Sequence, residues 1–534
     1  MKQYLAKRII GGLLSIIAVV AIVMLLIYSL MDRQLIFQSD SLYTKKLSND
    51  KISYMYTKWD EYGYVDMVGY SDYLMMLLKE GTITQEIYDA AVYPRTGKIN
   101  KPEATEYIAK FKEYYESKGY TIMELQADMM SSGRKLKTGG AARMFAYRDI
   151  PVYKRLGTYL KSLFFSDNVH YVPEEEDIGE RKLTFVLHDP SYIVRDENGN
   201  IVSEKFSPAI LGNGTKHKYL LYFDNRFPYV HQNFITLNLG ASYATNAGSD
   251  VWESMNIPQG KYVMREITYP SGLTEESADD LHTATYMSGS REMNLIYSER
   301  YLDDYTNTVT VKEGKSKVGY SFVIGILATA LAYALGLPLG IWMALRKGKL
   351  VDKIGTAYNI FILAVPSLAY IFMFKAIGTS VFHLPPFDMD EKSRLMYILP
   401  IISLALPSVA GLMKWLRRYM VDQMNSDYVK FARSGGLSEG EIFRKHILKN
   451  AMIPIIHGIP GRILGAPVGP IIPERVYRVP GAGNLLTNAI NVYDNGVIVG
   501  LTMFYATLSV VGLLLGDILM AVADPRISFN TKER

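Results

Sequence analysis

The motifs in this chain that could support catalysis are incomplete. Gly314, Lys315 and Ser316 match the end of a phosphate-binding loop, but the first glycine of that motif would fall on Val309. The 534 residues include no HExxH or GxSxG motif and no cysteine, which excludes cysteine nucleophiles, thiolate metal sites and disulfides. We therefore expect no catalytic residue, metal or cofactor here. If ATP drives this protein, another subunit hydrolyses it.

Residues 425–450 have the pattern of a helix, a sharp turn and a second helix. Asn425 or Ser426 can cap the first helix, and Gly435 and Gly436 end it, because glycine adopts the left-handed conformation at little cost. This segment therefore predicts an elbow.

The second helix of the elbow begins with a capping box, formed by Ser438 and, three residues later, Glu441. The side chains of the elbow are small at Ala432 and Gly436, and basic residues flank it. Such a knob suits insertion into a groove on another protein. An amphipathic linker on the membrane surface is the alternative.

Arg462 lies in the otherwise apolar segment Ala451–Ile472, about ten residues from either end. An arginine near the middle of a membrane costs about 3 kcal/mol or more and usually faces a polar interior or a partner. Gly461 and Gly465 would let a neighbouring backbone come close. Arg462 is thus expected to line a polar path; an ion pair with a partner subunit or a re-entrant segment are the alternatives.

The elements that must position these residues are six apolar segments, each near the length of about 20 residues that a membrane-spanning helix needs. Placing the N-terminus inside gives 18 Lys and Arg in the cytoplasmic pieces and 4 in the two short outer loops, as the positive-inside rule requires. The first segment is too long for the core of a signal peptide and reads as a retained anchor. The six segments are Ile9–Leu30, Val318–Leu345, Ala357–Ile377, Leu395–Leu416, Ala451–Ile472 and Val497–Val522.

Small residues and prolines recur inside these segments. Small residues let helices approach closely in lipid, and prolines free carbonyls that need partners or a wet cavity. The pattern indicates a tightly packed bundle or, in the fifth segment, a substrate path. The residues are Gly336, Pro338 and Gly340, then Pro460, Gly461, Gly465, Pro467, Gly469 and Pro470.

Residues 38–315, which we call the insertion, separate the first two apolar segments and must lie outside the cell on this topology. The early half has helical patterns and the later half strand patterns, with a hairpin turn at Asn198-Gly199 and a strand candidate at Lys218–Phe223. The insertion is rich in tyrosine, which suits docking of a partner or substrate, although such residues also fill cores.

The segment Asp427–Glu439, continued by His446, Asn450 and Pro454, resembles the coupling loop of ABC importer permeases, above all those for oligopeptides and dipeptides. In that family the loop docks on the ATPase subunit. The resemblance makes Ala432 and Gly436 the signature small positions, whereas Gly435 replaces a usually longer residue and should loosen the elbow. The coupling residues implied are Asp427, Ala432, Arg433, Gly435, Gly436, Ser438, Glu439 and Glu441.

Further segments agree with this family. Glu474–Leu486 resembles the stretch after the fifth span, and Gly516-Asp517 with Asp524–Ile527 resembles the end of the chain. Parts of the insertion, Lys216–Phe223 and Phe227–Gly240, are similar to the enlarged external domain of Ami-type permeases of Gram-positive bacteria. Our hypothesis for the translocation path comprises Gly461, Arg462, Gly465 and Glu474, with Arg462 attracting peptide carboxylates or carbonyls.

The sequence therefore predicts an all-α polytopic membrane protein with six transmembrane helices of the ABC importer permease type and a large α+β extracytoplasmic insertion. Its parts are residues 1–37, 38–315 and 316–534. Both termini are expected in the cytoplasm and the chain in a bacterial plasma membrane.

The resemblance implies a non-catalytic subunit that imports oligopeptides. Its expected partners are a second related permease, two ABC ATPases, a lipid-anchored extracytoplasmic binding protein, the peptide and membrane lipid. The net charge of +5 is small for this length, which argues against nucleic acid. The alternatives are an importer of the same build for nickel or a sugar conjugate, and a membrane-anchored receptor or sensor.

Overall fold

The computed structural model shows long helices at both ends of the chain and a mixed region between them. It describes residues 2–127, 140–166, 183–188, 194–196, 198–203, 209–212, 235–243, 248–269, 271–286, 299–300, 306–389, 393–466 and 470–523.

The first helix, α1 (Lys2–Leu30), leads through a short 3-10 helix at Arg33–Phe37 into the insertion. The helices of the insertion are α2 (Ser41–Lys45), α3 (Ser48–Glu61), α4 (Tyr70–Lys79), α5 (Gln85–Ala91), α6 (Pro102–Ser117), α7 (Val152–Ser162) and α8 (Val251–Asn256).

The insertion has an α+β core in its first half. Strands β1 (Val65–Gly69), β2 (Thr121–Leu125) and β3 (Arg143–Asp149) form an antiparallel sheet in the order β1-β3-β2. Buried aromatic residues, among them Tyr70 and Phe111, pack between this sheet and the helices. The α+β character predicted for the insertion is confirmed.

The later half contains short antiparallel pairs. The turn predicted at Asn198-Gly199 joins β6 to β7, with Gly199 at φ +83°. The strand predicted at Lys218–Phe223 lies outside the described residues. The pairs are β4 (Phe164–Ser166) with β9 (Ile235–Leu237), β5 (Leu183–Val186) with β8 (Ala209–Gly212), β6 (Val194–Arg195) with β7 (Ile201–Ser203), β10 (Arg265–Thr268) with β11 (Thr274–Ser277), and β12 (Asp279–Tyr286) with β13 (Thr306–Thr310).

The remaining helices follow the insertion and form a bundle. A 3-10 turn at Arg394–Tyr397 precedes α12, and a π-helix at Ile442–Leu448 joins α14 to α15. The helices are α9 (Lys317–Leu345), α10 (Leu350–Ala364), α11 (Ser367–Ser380), α12 (Ile398–Met424), α13 (Asp427–Ser434), α14 (Glu439–Glu441), α15 (Lys449–Leu464), α16 (Ile471–Tyr477), α17 (Ala482–Asn491) and α18 (Asn495–Ala523).

Four stretches of helix in the described part of the chain are long and apolar enough to cross a membrane: Ala6–Leu30, Lys317–Leu345, Arg394–Met424 and Asn495–Val522. Helices α10 and α11 meet the same length and composition criteria only when they are taken together, and they are bent by 108° at their junction, as in a broken span or a re-entrant loop. The bend falls inside the predicted span Ala357–Ile377, because Pro366 keeps the preceding Val365 in an extended conformation.

The predicted fifth span also differs from the structure. Helix α15 ends at Leu464, and helical structure resumes only at Ile471. Ala451–Ile472 is therefore not one continuous helix, and the described helices do not by themselves establish six spans.

Glycines allow the long helices to pack at close range. A Cβ atom on Gly336 would lie 2.8 Å from Cβ of Leu412, and one on Gly340 3.2 Å from Cα of Met413. These contacts join α9 to α12, so the close approach predicted at this glycine pair is confirmed.

A second close crossing joins α15 to α18. A Cβ on Gly512 would lie 2.8 Å from Cα of Gly461, and one on Gly516 would lie 2.5 Å from the carbonyl oxygen of His457. Gly461 therefore serves helix packing on one side, as its small size predicts.

The insertion is docked directly on the start of α18. The Asp494 carboxylate accepts hydrogen bonds from Ser242 Oγ (2.5 Å) and the Tyr243 amide (2.9 Å). A side chain on Gly496 would collide with the backbone at Ala241, so the two backbones touch. The insertion is thus fixed to the last helix by contacts between residues far apart in sequence.

Candidate functional site

The elbow at residues 425–450 is attached to the core of the helix bundle by buried side chains. Val429 of α13 and Ile442 after the turn are both fully buried, in one cluster with Leu416 and Met420 of α12. Movement of the elbow would therefore be transmitted directly to α12, which packs on α9.

The turn itself is a Schellman motif. The Leu437 amide donates to the Ala432 carbonyl (3.2 Å), and the Gly436 amide donates to the Arg433 carbonyl (3.1 Å). Gly436 has φ +83°, whereas Gly435 has φ −75°, an ordinary helical value. The predicted glycine turn is confirmed, and Gly436 is the residue that requires glycine.

The second helix starts with the predicted capping box, which is confirmed. The Glu441 amide donates to Ser438 Oγ (3.3 Å), and the Ser438 amide donates to the Glu441 carboxylate (3.3 Å). The first helix differs from the prediction. Ser426 occupies its N-cap position, but the hydroxyl donates to the Gln423 carbonyl (2.6 Å) instead of capping the helix.

Ion pairs orient the exposed face of the elbow. Arg433 donates through Nε (2.6 Å) and Nη2 (3.1 Å) to both oxygens of Glu439, bridging the turn, and Lys430 pairs with Asp427 at 2.8 Å. These hydrogen bonds hold the pKa of Glu439 and of Asp427 below its usual value. Solvent screens such surface pairs, so they set side-chain directions more than stability.

The elbow exposes an aromatic side chain that the sequence reasoning overlooked. Phe431 is 78% exposed, while Val429 on the opposite side of α13 is fully buried. Residues two positions apart lie on nearly opposite faces of a helix, so this alternation was readable from the sequence. Ala432, in contrast, is half-buried against the core of the helix bundle, so it contributes less than Phe431 to the exposed face of the elbow.

A π-helix connects the elbow to α15. The seven residues Ile442–Leu448 have this rare, wider winding. π-helical segments occur frequently at functional sites, because they place an extra residue in the helix and can shift its register. The elbow and the fifth apolar segment are therefore joined by a helix that is already distorted.

Arg462 lies in the last turn of α15, not in the middle of a continuous helix. The side chain is exposed, and its Cζ atom lies 5.9 Å from the centre of the Tyr333 ring on α9. Gly465 is the C-cap residue of the same helix, and its amide donates to the Gly461 carbonyl (2.9 Å). Gly461, Arg462 and Gly465 thus form the end of a broken helix.

Glu474 is separate from that helix end and is fully buried. Its carboxylate accepts from Ser321 Oγ (2.5 Å) and from the Asn484 amide (2.9 Å). A side chain on Gly481 would collide with this carboxylate, so the glycine makes room for it. This geometry gives Glu474 the role of a clamp that ties the turn after α16 to α9.

Comparison with known proteins places these features in a family. The family model for the inner membrane component of binding-protein-dependent transport systems matches residues 336–529, which include the elbow and Arg462. The oligopeptide transport system permease protein AmiC of Streptococcus pneumoniae is 32% identical over 100% of this chain and 99% of its own length. The dipeptide transport system permease protein DppB of Lactococcus lactis is 30% identical over 42% of this chain and 73% of its own.

Among solved structures, an inward-facing MetNI methionine ABC transporter aligns with 38% of this chain and 93% of its own at 11% identity. The TM-score of this alignment is 0.29. The similarity to AmiC extends through the insertion as well as the helices. The chain therefore belongs to the family of ABC importer permeases, in the branch that contains the oligopeptide permeases.

Proposed function

We propose that this chain imports oligopeptides as one half of the translocation path of an ATP-driven importer in the plasma membrane of a bacterium. Its similarity to oligopeptide and dipeptide permeases supports the substrate class. The second half of the path would come from a related permease. Two ABC ATPases would hydrolyse ATP, and a lipid-anchored binding protein would deliver the peptide from outside.

The proposed orientation has both termini in the cytoplasm and residues 38–315 outside. The C-terminal end of α1 and the N-terminal end of α18 both lie against the insertion, through Tyr28 and Asp494. Helix α12 starts near Lys315, whose Nζ lies 3.3 Å from Tyr397 Oη, and its 27 residues then lead away by about 40 Å. The elbow is therefore at the far end from the insertion, as an inner docking site requires.

The observation that carries the coupling role is the exposed Phe431. A large exposed apolar side chain is the kind of anchor that dominates protein interfaces when it fills a pocket. Gly436 and Ser438 shape the elbow, while Asp427, Arg433, Glu439 and Glu441 form its charged rim. Ala432 acts from the inner side, where it packs against the core.

For the path, we propose that Arg462 at the broken end of α15 faces the peptide, with Gly461 and Gly465 keeping that end narrow. Arginine donates from a rigid planar fork that matches carboxylate and carbonyl oxygens. Glu474 supports the path indirectly, because its clamp fixes the segment that follows. It is a positioning residue.

Replacing Phe431 with alanine tests the coupling role. The matched control is Phe382→Ala, since Phe382 is also exposed (68%) but follows α11 in the predicted outer loop. We expect Phe431→Ala to weaken ATPase binding by about 2 kcal/mol or more, near 30-fold, as for other interface anchors. Co-purified ATPase and peptide uptake should both fall, whereas Phe382→Ala should retain them.

Retention of ATPase and uptake by Phe431→Ala would contradict the coupling role. The substrate class is tested separately in a strain that lacks the native gene, by restoring the gene and measuring uptake of labelled peptides, nickel and sugar conjugates. Restored uptake of nickel or of a sugar conjugate, without restored uptake of peptides, would exclude the oligopeptide assignment.

A further inference from the structure

A cavity of about 260 Å³ lies where the insertion meets the outer ends of the first and last helices. Met24 and Tyr28 of α1, Val499 of α18, and Tyr62, Arg155 and Tyr243 of the insertion are among its lining residues. This volume is slightly below that of typical small-ligand pockets, which start near about 300 Å³, and suits one small group or chain end.

Arg155 is the cation of this cavity, and it is almost completely buried, with 9% of its surface exposed. The guanidinium lies in the corner formed by two tyrosine rings that meet edge to face, with their centres 5.2 Å apart. Its Cζ lies 4.1 Å from the centre of the Tyr28 ring and 4.0 Å from the centre of the Tyr64 ring. Its Nε donates to the Gly63 carbonyl at 2.5 Å. The terminal nitrogen Nη2 is buried and has no hydrogen-bond partner among the residues that the structure describes.

Arg155 forms no ion pair with a carboxylate in the described part of the chain. Asp494 is engaged by Ser242 and the Tyr243 amide, and Glu61 at the edge of the cavity pairs with Lys58. Burial lowers the pKa of Arg155, but arginine still remains charged in proteins. The site therefore holds a buried positive charge whose counter-ion is not supplied by its described neighbours.

The surroundings of Arg155 determine what could complete it. The two tyrosine rings contact the guanidinium from adjacent sides through cation–π interactions, which offset only part of the cost of burying a charge. The donors that remain lie in the plane of the guanidinium. In-plane N–H groups of arginine fit the oxygens of a carboxylate or a phosphate, which they bind in a forked geometry.

We propose that this cavity binds a singly charged oxyanion group of a small ligand, with Arg155 as its partner and the tyrosines against its apolar portion. Such a group could be the carboxylate of a short peptide or the phosphate of a lipid headgroup. This site is distinct from the path proposed at Arg462, and its existence does not depend on what the protein transports.

Binding to the purified full-length chain in detergent tests the proposal and separates the two sources. Trialanine is compared with its C-terminal amide by calorimetry, and native mass spectrometry follows retained phosphatidylglycerol. We expect one of two results: the acid binds at least tenfold more tightly than the amide, or the lipid stays bound through delipidation. Either result identifies the source, and neither requires a variant.

Two variants then assign the site to Arg155. Arg155→Gln should weaken the ligand at least tenfold, and Arg155→Lys should weaken it less, because lysine keeps the charge but loses the fork. The matched control is Arg148→Gln, since Arg148 also lies over a tyrosine, 4.5 Å from Tyr120, but away from the cavity. Equal binding of acid and amide without retained lipid would overturn the proposal, as would equal effects of Arg155→Gln and Arg148→Gln in folded protein.

Discussion

The glycine pair of the elbow allows a test in which only the backbone conformation differs. Gly435 and Gly436 are adjacent and both exposed, but φ is −75° at the first and +83° at the second. Nothing lies within 4 Å of a Cβ placed on Gly436, so a side chain there meets no obstacle. The cost of Gly436→Ala is then the left-handed backbone alone, about 1–2 kcal/mol.

This cost converts to a measurable change. Because about 1.4 kcal/mol corresponds to a factor of ten, this cost lowers the ratio of formed to straightened elbow about 5- to 30-fold. Gly435→Ala places its Cβ 3.4 Å from the nearest atom, the Phe431 carbonyl oxygen, which is ordinary contact. Both substitutions restrict the unfolded chain equally, so the difference between them isolates the effect of φ.

The assay is uptake of a labelled peptide by cells that contain equal amounts of each variant in the membrane, together with co-purification of the ATPase. We expect uptake to fall about fivefold or more with Gly436→Ala, following the same 1–2 kcal/mol, and to stay within about twofold of the wild type with Gly435→Ala. A β-branched residue at 436 should be worse than alanine. Equal uptake in the two alanine variants would refute the elbow as the coupling element.

Three further predictions concern topology, the path and the clamp. In intact cells an impermeant thiol reagent should label Asn200→Cys but not Ser438→Cys, and labelling at 438 would reverse the orientation. Arg462→Gln should leave assembly intact and reduce transport most for acidic peptides; loss of assembly would instead indicate an ion pair with the second permease. Glu474→Leu removes both carboxylate oxygens and leaves the Asn484 N–H without its acceptor, so we expect a loss of about 1–3 kcal/mol in stability, seen as lower thermal stability in detergent, whereas an unchanged melting temperature would contradict the clamp.

Much of the elbow could be predicted because its determinants lie within a few residues. The left-handed glycine and the capping box provide hydrogen-bond partners for backbone groups three to five positions away. Their geometry can therefore be predicted from their spacing in the sequence. The same locality explains the error at Ser426. A hydroxyl at a helix start has two nearby partners, and the sequence does not show that the Gln423 carbonyl would be chosen.

The spans were harder to predict, because hydropathy measures length and composition but not continuity. Pro366 bends α10 against α11, and α15 stops at Leu464 within an apolar stretch. As a result, Arg462 lies at a helix end, although its position in the apolar segment Ala451–Ile472 predicts that it lies in the middle of a span. Prolines marked both regions, but whether a proline bends, breaks or merely loosens a helix is decided by the partners of the freed carbonyls.

The sequence by itself determined the membrane class, the α+β insertion and the elbow, since apolar length, turn residues and caps act over short stretches of chain. Only the tertiary structure decided which distant groups meet. Ser321 supplies a partner to Glu474 from 153 positions away, and Tyr28 and Tyr64 contact Arg155 from distant parts of the chain. A buried charge must find its partners wherever the packed helices bring them, and that depends on how the whole chain fits together rather than on local spacing.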